Sequence, residues 1–254
     1  MFEQVRAVGV LHRAGMINLF RPDQVLASIR ALRAYGPIAG AARIAARRDA
    51  DAVAVIDELG ELTYRQLDRR ANALARAWTR QGFGADSVIA VLCRDHRWVI
   101  DTMLAAAKLG ARLLLMNTGF GATQLADVAA REGVTALVHD AEFADLVPAR
   151  LTGTDGADLV PAELTSLVAD EQLEVPAGLA SFVADEQLEV PAGLASFVAD
   201  EQLEDLITHT GGADLPAPRR PGSLVLLTSG TTGTPKGAPR QVRSPLAAAQ
   251  FLDR

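Results

Sequence analysis

The chain is poor in cysteine, in lysine and in long apolar runs, and each scarcity excludes something. Cys93 is the single cysteine, so neither an internal disulfide nor a cysteine-rich metal site is available. The longest apolar region, Val99 to Met116, is interrupted by Asp101, Lys108 and Arg112, and does not span a bilayer as an ordinary helix. The N-terminal stretch carries Glu3, Arg6, His12 and Arg13 with no long apolar segment, which is not the pattern of a secretory signal. A cytoplasmic protein is the expectation. Only Lys108 and Lys236 are lysines among the 25 basic residues, a bias that, with abundant alanine, reflects a GC-rich genome. The formal net charge of −6 argues against a nucleic-acid partner. His12, His96, His139 and His209 lack ligand spacing, so no metal site is expected. No Gly-x-Ser-x-Gly nucleophile elbow occurs.

What is present is enough to build a core: 254 residues, 49% of them hydrophobic. Residues 23–48 read as an Arg-rich helix with Val25, Ile29, Leu32 and Ile38 on its apolar side, broken at Gly36-Pro37. It is either a solvated surface helix or a peripheral contact with an anionic membrane. Asp51 to Ile56 is a strand, and 58–61 a turn. Thr63 with Gln66 forms a capping box that opens a helix ending at Gly82, with Leu67, Ala71, Leu74 and Trp78 as its buried stripe. Strands at 88–92, 111–116 and 136–139 alternate with helices at 97–109 and 123–132. That alternation predicts a parallel α/β fold.

Residues 166–204 hold two full copies and one partial copy of a fifteen-residue unit, whose complete form is Ser181 to Ala195. Near-identity of the copies points to recent duplication rather than an old solenoid. The repeat carries nine acidic and no basic residues, and without it the formal charge would be +3. One copy is expected to belong to the ancestral fold and the others to form a tolerated surface insertion. An acidic protein-binding arm is the alternative.

The segment Leu226 to Gly237 packs three glycines, five hydroxyl residues and one lysine into twelve positions behind the apolar run Ser223 to Leu227. Glycines let consecutive N–H groups face an anion, hydroxyls add donors, and lysine adds a mobile charge. The combination suits a polyphosphate. It is not a Walker A loop, because Lys236 follows Pro235 and precedes Gly237.

This segment closely resembles the phosphate-binding motif of the adenylate-forming enzymes, a superfamily that includes acyl-CoA synthetases, luciferases and peptide-synthetase adenylation domains. Leu62-Thr63-Tyr64-Arg65-Gln66-Leu67 and Lys108-Leu109-Gly110-Ala111 resemble two further signatures of the family, both mainly scaffold. Asn117-Thr118-Gly119-Phe120 is similar to the fatty acyl-CoA ligase branch, where amino-acid-activating domains typically carry Pro-Leu-Asp. The resemblance implies a stacked parallel-sheet adenylation fold over residues 1–254, the N-terminal part of the large domain, incomplete at its C-terminal side. It implies ATP, Mg2+ and coenzyme A alongside a carboxylic acid. Thr228, Ser229, Thr231, Thr232 and Thr234 would supply hydroxyls, Gly230, Gly233 and Gly237 close backbone approach, and Lys236 charge. The family's aromatic-Gly-x-Thr-Glu segment, its ribose-binding aspartate and its C-terminal lysine are not found before Arg254, and the sequence stops within an expected helix around 246–252. A companion C-terminal fragment is one expectation. A non-catalytic nucleotide-binding remnant, or part of an aryl- or amino-acid-activating enzyme, are the alternatives to a fatty acid–CoA ligase.

Overall fold

A computed structural model describes residues 22–147, 195–228 and 236–240. The N-terminal stretch before residue 22, most of the repeat and the expected helix at 246–252 lie outside the described residues.

Helix α1 (Pro22–Arg48) is two helical pieces meeting at Gly36, whose φ of 74° favours glycine, with Pro37 following. Proline at that point removes an amide donor and crowds the preceding turn, so the break expected from Gly36-Pro37 occurs there. The buried face differs from the expected one. Ala31, Tyr35 and Ala39 face inward, while Ile29 is 40% exposed. Small side chains let α1 approach the next two helices closely, which a row of large aliphatics would prevent. Arg43, expected among the solvated arginines, is instead buried, with Asp214 and Asp68 as its ion-pair partners. A buried guanidinium is retained only where carboxylates accept its donors.

Strands β1 (Val53–Asp57) and β2 (Gly60–Thr63) form a separate antiparallel hairpin, so half of the expected 58–61 turn is strand. Thr63 caps α2 (Tyr64–Arg80) with the reciprocal Gln66 bond of a capping box. Leu67, Ala71, Leu74 and Trp78 are all buried, as their spacing predicts.

The main sheet comprises β3 (Val88–Leu92), β4 (Arg112–Leu115), β5 (Ala136–His139), β6 (Ala195–Val198), β7 (Ser223–Thr228) and β8 (Lys236–Arg240). Its order is β6-β5-β3-β4-β7-β8. The first five strands run parallel and β8 pairs antiparallel with β7. Pro239 fits this arrangement, because among the described strands β8 is an edge. β3 is buried at every position, as a continuous apolar run in a two-sided parallel sheet should be.

Helices α3 (Arg97–Leu109), α4 (Ala122–Glu132) and α5 (Glu201–His209) complete the layers, with a 3-10 turn at Ala141–Leu146. One core holds Leu74, Trp78, Ile89, Phe197 and Leu203, a second holds Phe120, Leu125, Val128 and Phe143, and a third holds Tyr35, Ala39, Leu67 and Leu104 beneath α1. Among the described residues no helix is long and apolar enough to cross a membrane.

The Lys108-to-Ala111 signature is structural here. Lys108 is 3% exposed, and its Nζ donates to Asp68 Oδ1 at 2.6 Å and Asn72 Oδ1 at 2.5 Å on α2. Gly110 caps α3 at φ 75°, and a Cβ built there would lie 2.3 Å from the Arg220 carbonyl. The chain leading into β7 therefore crosses directly over the end of α3.

Asp101 is fully buried, and its Oδ2 accepts from Arg70 Nε and Nη2 at 3.0 and 2.8 Å. Burial pushes its carboxyl up to about 6 against the opposing pull of Arg70. A carboxyl raised in the folded state contributes stability below its unfolded value of about 3.9 and loses it as pH climbs through the folded value. Asp57 works in the opposite sense. Hydrogen bonds from Arg97 outweigh desolvation and hold it well below the usual carboxylate range, so its contribution is lost at acid pH below about 4. Urea midpoints measured from pH 4 to 6 are expected to show a declining term absent from Asp101→Asn, on the order of 3 kcal/mol at full span. Parallel wild-type and variant curves across that window would refute the assignment.

Candidate functional site

Parallel α/β sheets present their ligand crevice beyond the carboxyl ends of the strands. Five such ends lie side by side here, those of β6, β5, β3, β4 and β7.

β7 brings Thr228 to that edge. The chain returns as β8, with Lys236 paired opposite Thr228 and Gly237 opposite Leu227. Thr228, Lys236 and Gly237 thus stand at the base of one connection, 229–235, at the carboxyl end of a parallel strand. Ser229, Gly230, Thr231, Thr232, Gly233 and Thr234 lie outside the described residues. The candidate loop therefore springs from a fixed base: β7 is held by β4 on one side and β8 on the other.

Next to it, the chain leaving β4 turns tightly. Asn117 Oδ1 accepts the Gly119 amide at 2.9 Å, and the Phe120 amide donates to the Asn117 carbonyl at 3.0 Å. Phe120 is anchored in the core below α4. Register pairs Leu115 with Leu226, so this turn neighbours the end of β7.

The ends of β3 and β5 carry a cluster that the sequence pattern does not announce. Donor atoms of Cys93, His96 and Asp140 lie within 4.8 Å of one another. His96 Nε2 shares a hydrogen bond of 2.7 Å with Asp140 Oδ1, and the Arg94 amide donates to Asp140 Oδ2 at 2.6 Å. The Cys93 thiol points at the Val138 carbonyl, 3.6 Å away. Burial, then the Asp140 charge, pushes that thiol far above its ordinary value, so it remains protonated. Both Asp140 oxygens are engaged, Oδ1 by His96 and Oδ2 by the Arg94 amide. The cluster is accordingly a hydrogen-bonded tie between two neighbouring loops. Cys93 and His96 are far from Asp140 in sequence; parallel pairing of Leu92 with His139 brings them together. The available signal was their shared position just after an apolar strand run.

His139 is also structural. It is buried, with Nδ1 at 2.9 Å from the Asp140 carbonyl and Nε2 at 3.0 Å from Ser196 Oγ.

The sequence pattern of one family, described as AMP-binding enzyme, matches residues 42–253. A Medium/long-chain-fatty-acid–CoA/3-oxocholest-4-en-26-oate–CoA ligase of Mycobacterium marinum is 34% identical over 41% of this chain and 19% of its own length. Phosphinothricin tripeptide synthetase PhsB of Streptomyces viridochromogenes is 38% identical over 39% of this chain and 9% of its own length. In three dimensions the fold matches a Mycobacterium tuberculosis fatty acyl CoA synthetase with a TM-score of 0.58 at 19% identity, covering 80% of this chain and 34% of that one. This chain thus spans about a fifth of the first of these curated relatives.

Proposed function

The chain belongs to the AMP-binding enzyme family, and from that premise we propose that it is part of an ATP-dependent, AMP-forming fatty acid–CoA ligase. The observation that carries the reading is the pairing of Thr228 with Lys236, which sets the hydroxyl- and glycine-rich loop at the carboxyl end of β7.

In the proposed reaction a carboxylate oxygen attacks the α-phosphorus of ATP, and pyrophosphate leaves. The sulfur of coenzyme A then attacks the acyl carbonyl carbon, and AMP leaves. The first step asks little covalent chemistry of the protein; orientation and neutralisation of phosphate charge supply most of the acceleration. Backbone amides freed by Gly230 and Gly233, hydroxyls of Thr228 to Thr234 and the Lys236 ammonium are the groups suited to it. Mg2+ would accompany ATP and offset the remaining charge.

Two features favour a fatty acid as the substrate: the Mycobacterium marinum relative, and the Asn117-Thr118-Gly119-Phe120 turn beside the loop. The likeness to a peptide synthetase supports a second reading, an amino-acid-activating enzyme. Acid-dependent ATP–pyrophosphate exchange separates them. The 254 residues contain no aromatic-Gly-x-Thr-Glu segment, so this chain with Mg-ATP, coenzyme A and fatty acids is expected to release no pyrophosphate at enzymatic rates. Joined to the C-terminal part of a close relative, it is expected to catalyse exchange with medium- or long-chain fatty acids in preference to aryl acids or amino acids. Exchange supported by amino acids alone would overturn the ligase reading.

A further inference from the structure

The slot at the β5 edge of the sheet holds the partial third copy of the repeat, and its contacts define what the slot requires. Ala195–Val198 pairs with Ala136–His139 as β6. Phe197 packs against the rings of Trp78 and Phe83, with centroids 5.8 and 6.1 Å away. Ser196 Oγ meets His139 Nε2 at 3.0 Å. Asp200 accepts the Gln202 amide at 2.9 Å and starts α5, while Gln202 Oε1 accepts the Val198 amide at 3.0 Å. Leu203 is fully buried. Glu204 receives Arg70 Nη1 and Nη2 at 2.6 and 2.7 Å and Trp98 Nε1 at 3.1 Å.

Every one of these side chains recurs fifteen positions earlier. Ala180, Ser181, Phe182, Val183, Asp185, Gln187, Leu188 and Glu189 repeat Ala195, Ser196, Phe197, Val198, Asp200, Gln202, Leu203 and Glu204. Nothing in the slot distinguishes the two segments up to the glutamate.

We propose that Ser181–Glu189 is an alternative occupant of the slot formed by β5, Trp78, Phe83, Arg70 and Trp98, so that the domain has two registers fifteen residues apart.

The difference between the registers lies after the glutamate. Glu204 is followed by Asp205-Leu206-Ile207, which extends α5 and buries Ile207, with Leu206 only half-buried against the core. Glu189 is followed by Val190-Pro191-Ala192-Gly193, and Pro191 stops a helix there. The second register forgoes the last turn of α5 and its apolar burial. The third-copy register is thereby favoured by roughly ten- to a hundred-fold, the equilibrium equivalent of burying one aliphatic side chain. Loop closure hardly opposes the exchange, because fifteen residues merely move from one side of the slot to the other and its cost changes slowly with length. The first copy is the weaker competitor, since Leu167 stands where Phe182 and Phe197 do.

The test uses three variants of the full chain: Leu203→Asp, Leu188→Asp, and the combination of both with Leu173→Asp. An aspartate at the fully buried position disables a copy for the slot. Leu188→Asp is expected to leave the unfolding equilibrium constant unchanged. Leu203→Asp is expected to raise it by roughly ten- to a hundred-fold and no further, because the second copy takes over. The combined variant is expected to raise it at least another ten-fold. Hydrogen exchange read by mass spectrometry gives the direct signal, because the substitution makes peptides of the two copies differ in mass. In Leu203→Asp, slow exchange should move from Phe197–Glu204 to Phe182–Glu189. If Leu203→Asp is as damaging as the combined variant, or fails to fold, or shows no protection at Phe182–Glu189, the slot accepts one segment only and the proposal is wrong.

Discussion

Gly110→Val is expected to destabilise the domain by roughly 3–5 kcal/mol, enough to unfold a protein of ordinary stability. Two separate costs combine. The residue sits at φ 75°, where an L side chain pays about 1–2 kcal/mol of strain. A Cβ there would also meet the Arg220 carbonyl at 2.3 Å and the Pro218 Cβ at 2.9 Å. Neither neighbour can retreat freely, because Ser223 donates to the Ala111 carbonyl and starts β7. Gly133 supplies the control. It caps α4 in the same way, at φ 64°, but a Cβ there meets nothing within 4 Å. Gly133→Ala is therefore expected to cost only the strain, about 1–2 kcal/mol. Urea denaturation of the two variants separates them, and equal losses would mean that the crossing over α3 contributes nothing. The result bears on the site, because that crossing delivers the chain to β7 and so fixes where the 229–235 loop begins.

The sheet was legible in the sequence wherever the signals were local. The Thr63–Gln66 capping box, the Leu67–Ala71–Leu74–Trp78 stripe and the apolar runs at Val88 and Ala136 each depend on residues within a few positions of one another. Strand order is different in kind. Nothing near Val88 or Ser223 says that β3 takes β5 and β4 as neighbours, or that β7 joins beyond β4. The same limit hid the long-range polar contacts. Arg43 reads as one more surface arginine until Asp214, 171 residues away, is seen to accept its Nη1 at 3.0 Å. Arg70 likewise has its partners at Asp101 and at Glu204.

The repeat shows how composition alone misleads. Nine acidic residues in a row of copies look like a solvated surface tract. In the copy that occupies the fold, however, Asp200 caps a helix and Glu204 neutralises Arg70, while Phe197 and Leu203 fill the core. The charge pattern is that of an amphipathic strand–helix unit whose acids meet specific donors. Distinguishing the two readings requires knowing that an arginine waits at position 70, and only the packing of α2 beside α5 supplies that.

The loop was the clearest functional signal because its chemistry is local: hydroxyls, glycines and one lysine within twelve residues. Its proposed role predicts the largest effects on activity. In an enzyme rebuilt by joining this chain to the C-terminal part of a close relative, Lys236→Ala is expected to reduce adenylation efficiency by roughly ten- to a hundred-fold. That corresponds to about 1.5–3 kcal/mol, the range for a hydrogen bond to a charged group. The backbone of Lys236 pairs with that of Thr228 where the chain leaves and re-enters the sheet. Gly233→Val is expected to do comparable harm by a different route. A β-branched side chain restricts the turn and blocks backbone approach to an anion, while the charge at Lys236 is untouched. The two variants therefore separate charge from shape. ATP–pyrophosphate exchange gives the rate, and circular dichroism with urea unfolding establishes that β7 and β8 remain in place. Wild-type exchange in both variants would make the loop scaffold and overturn its proposed phosphate-binding role.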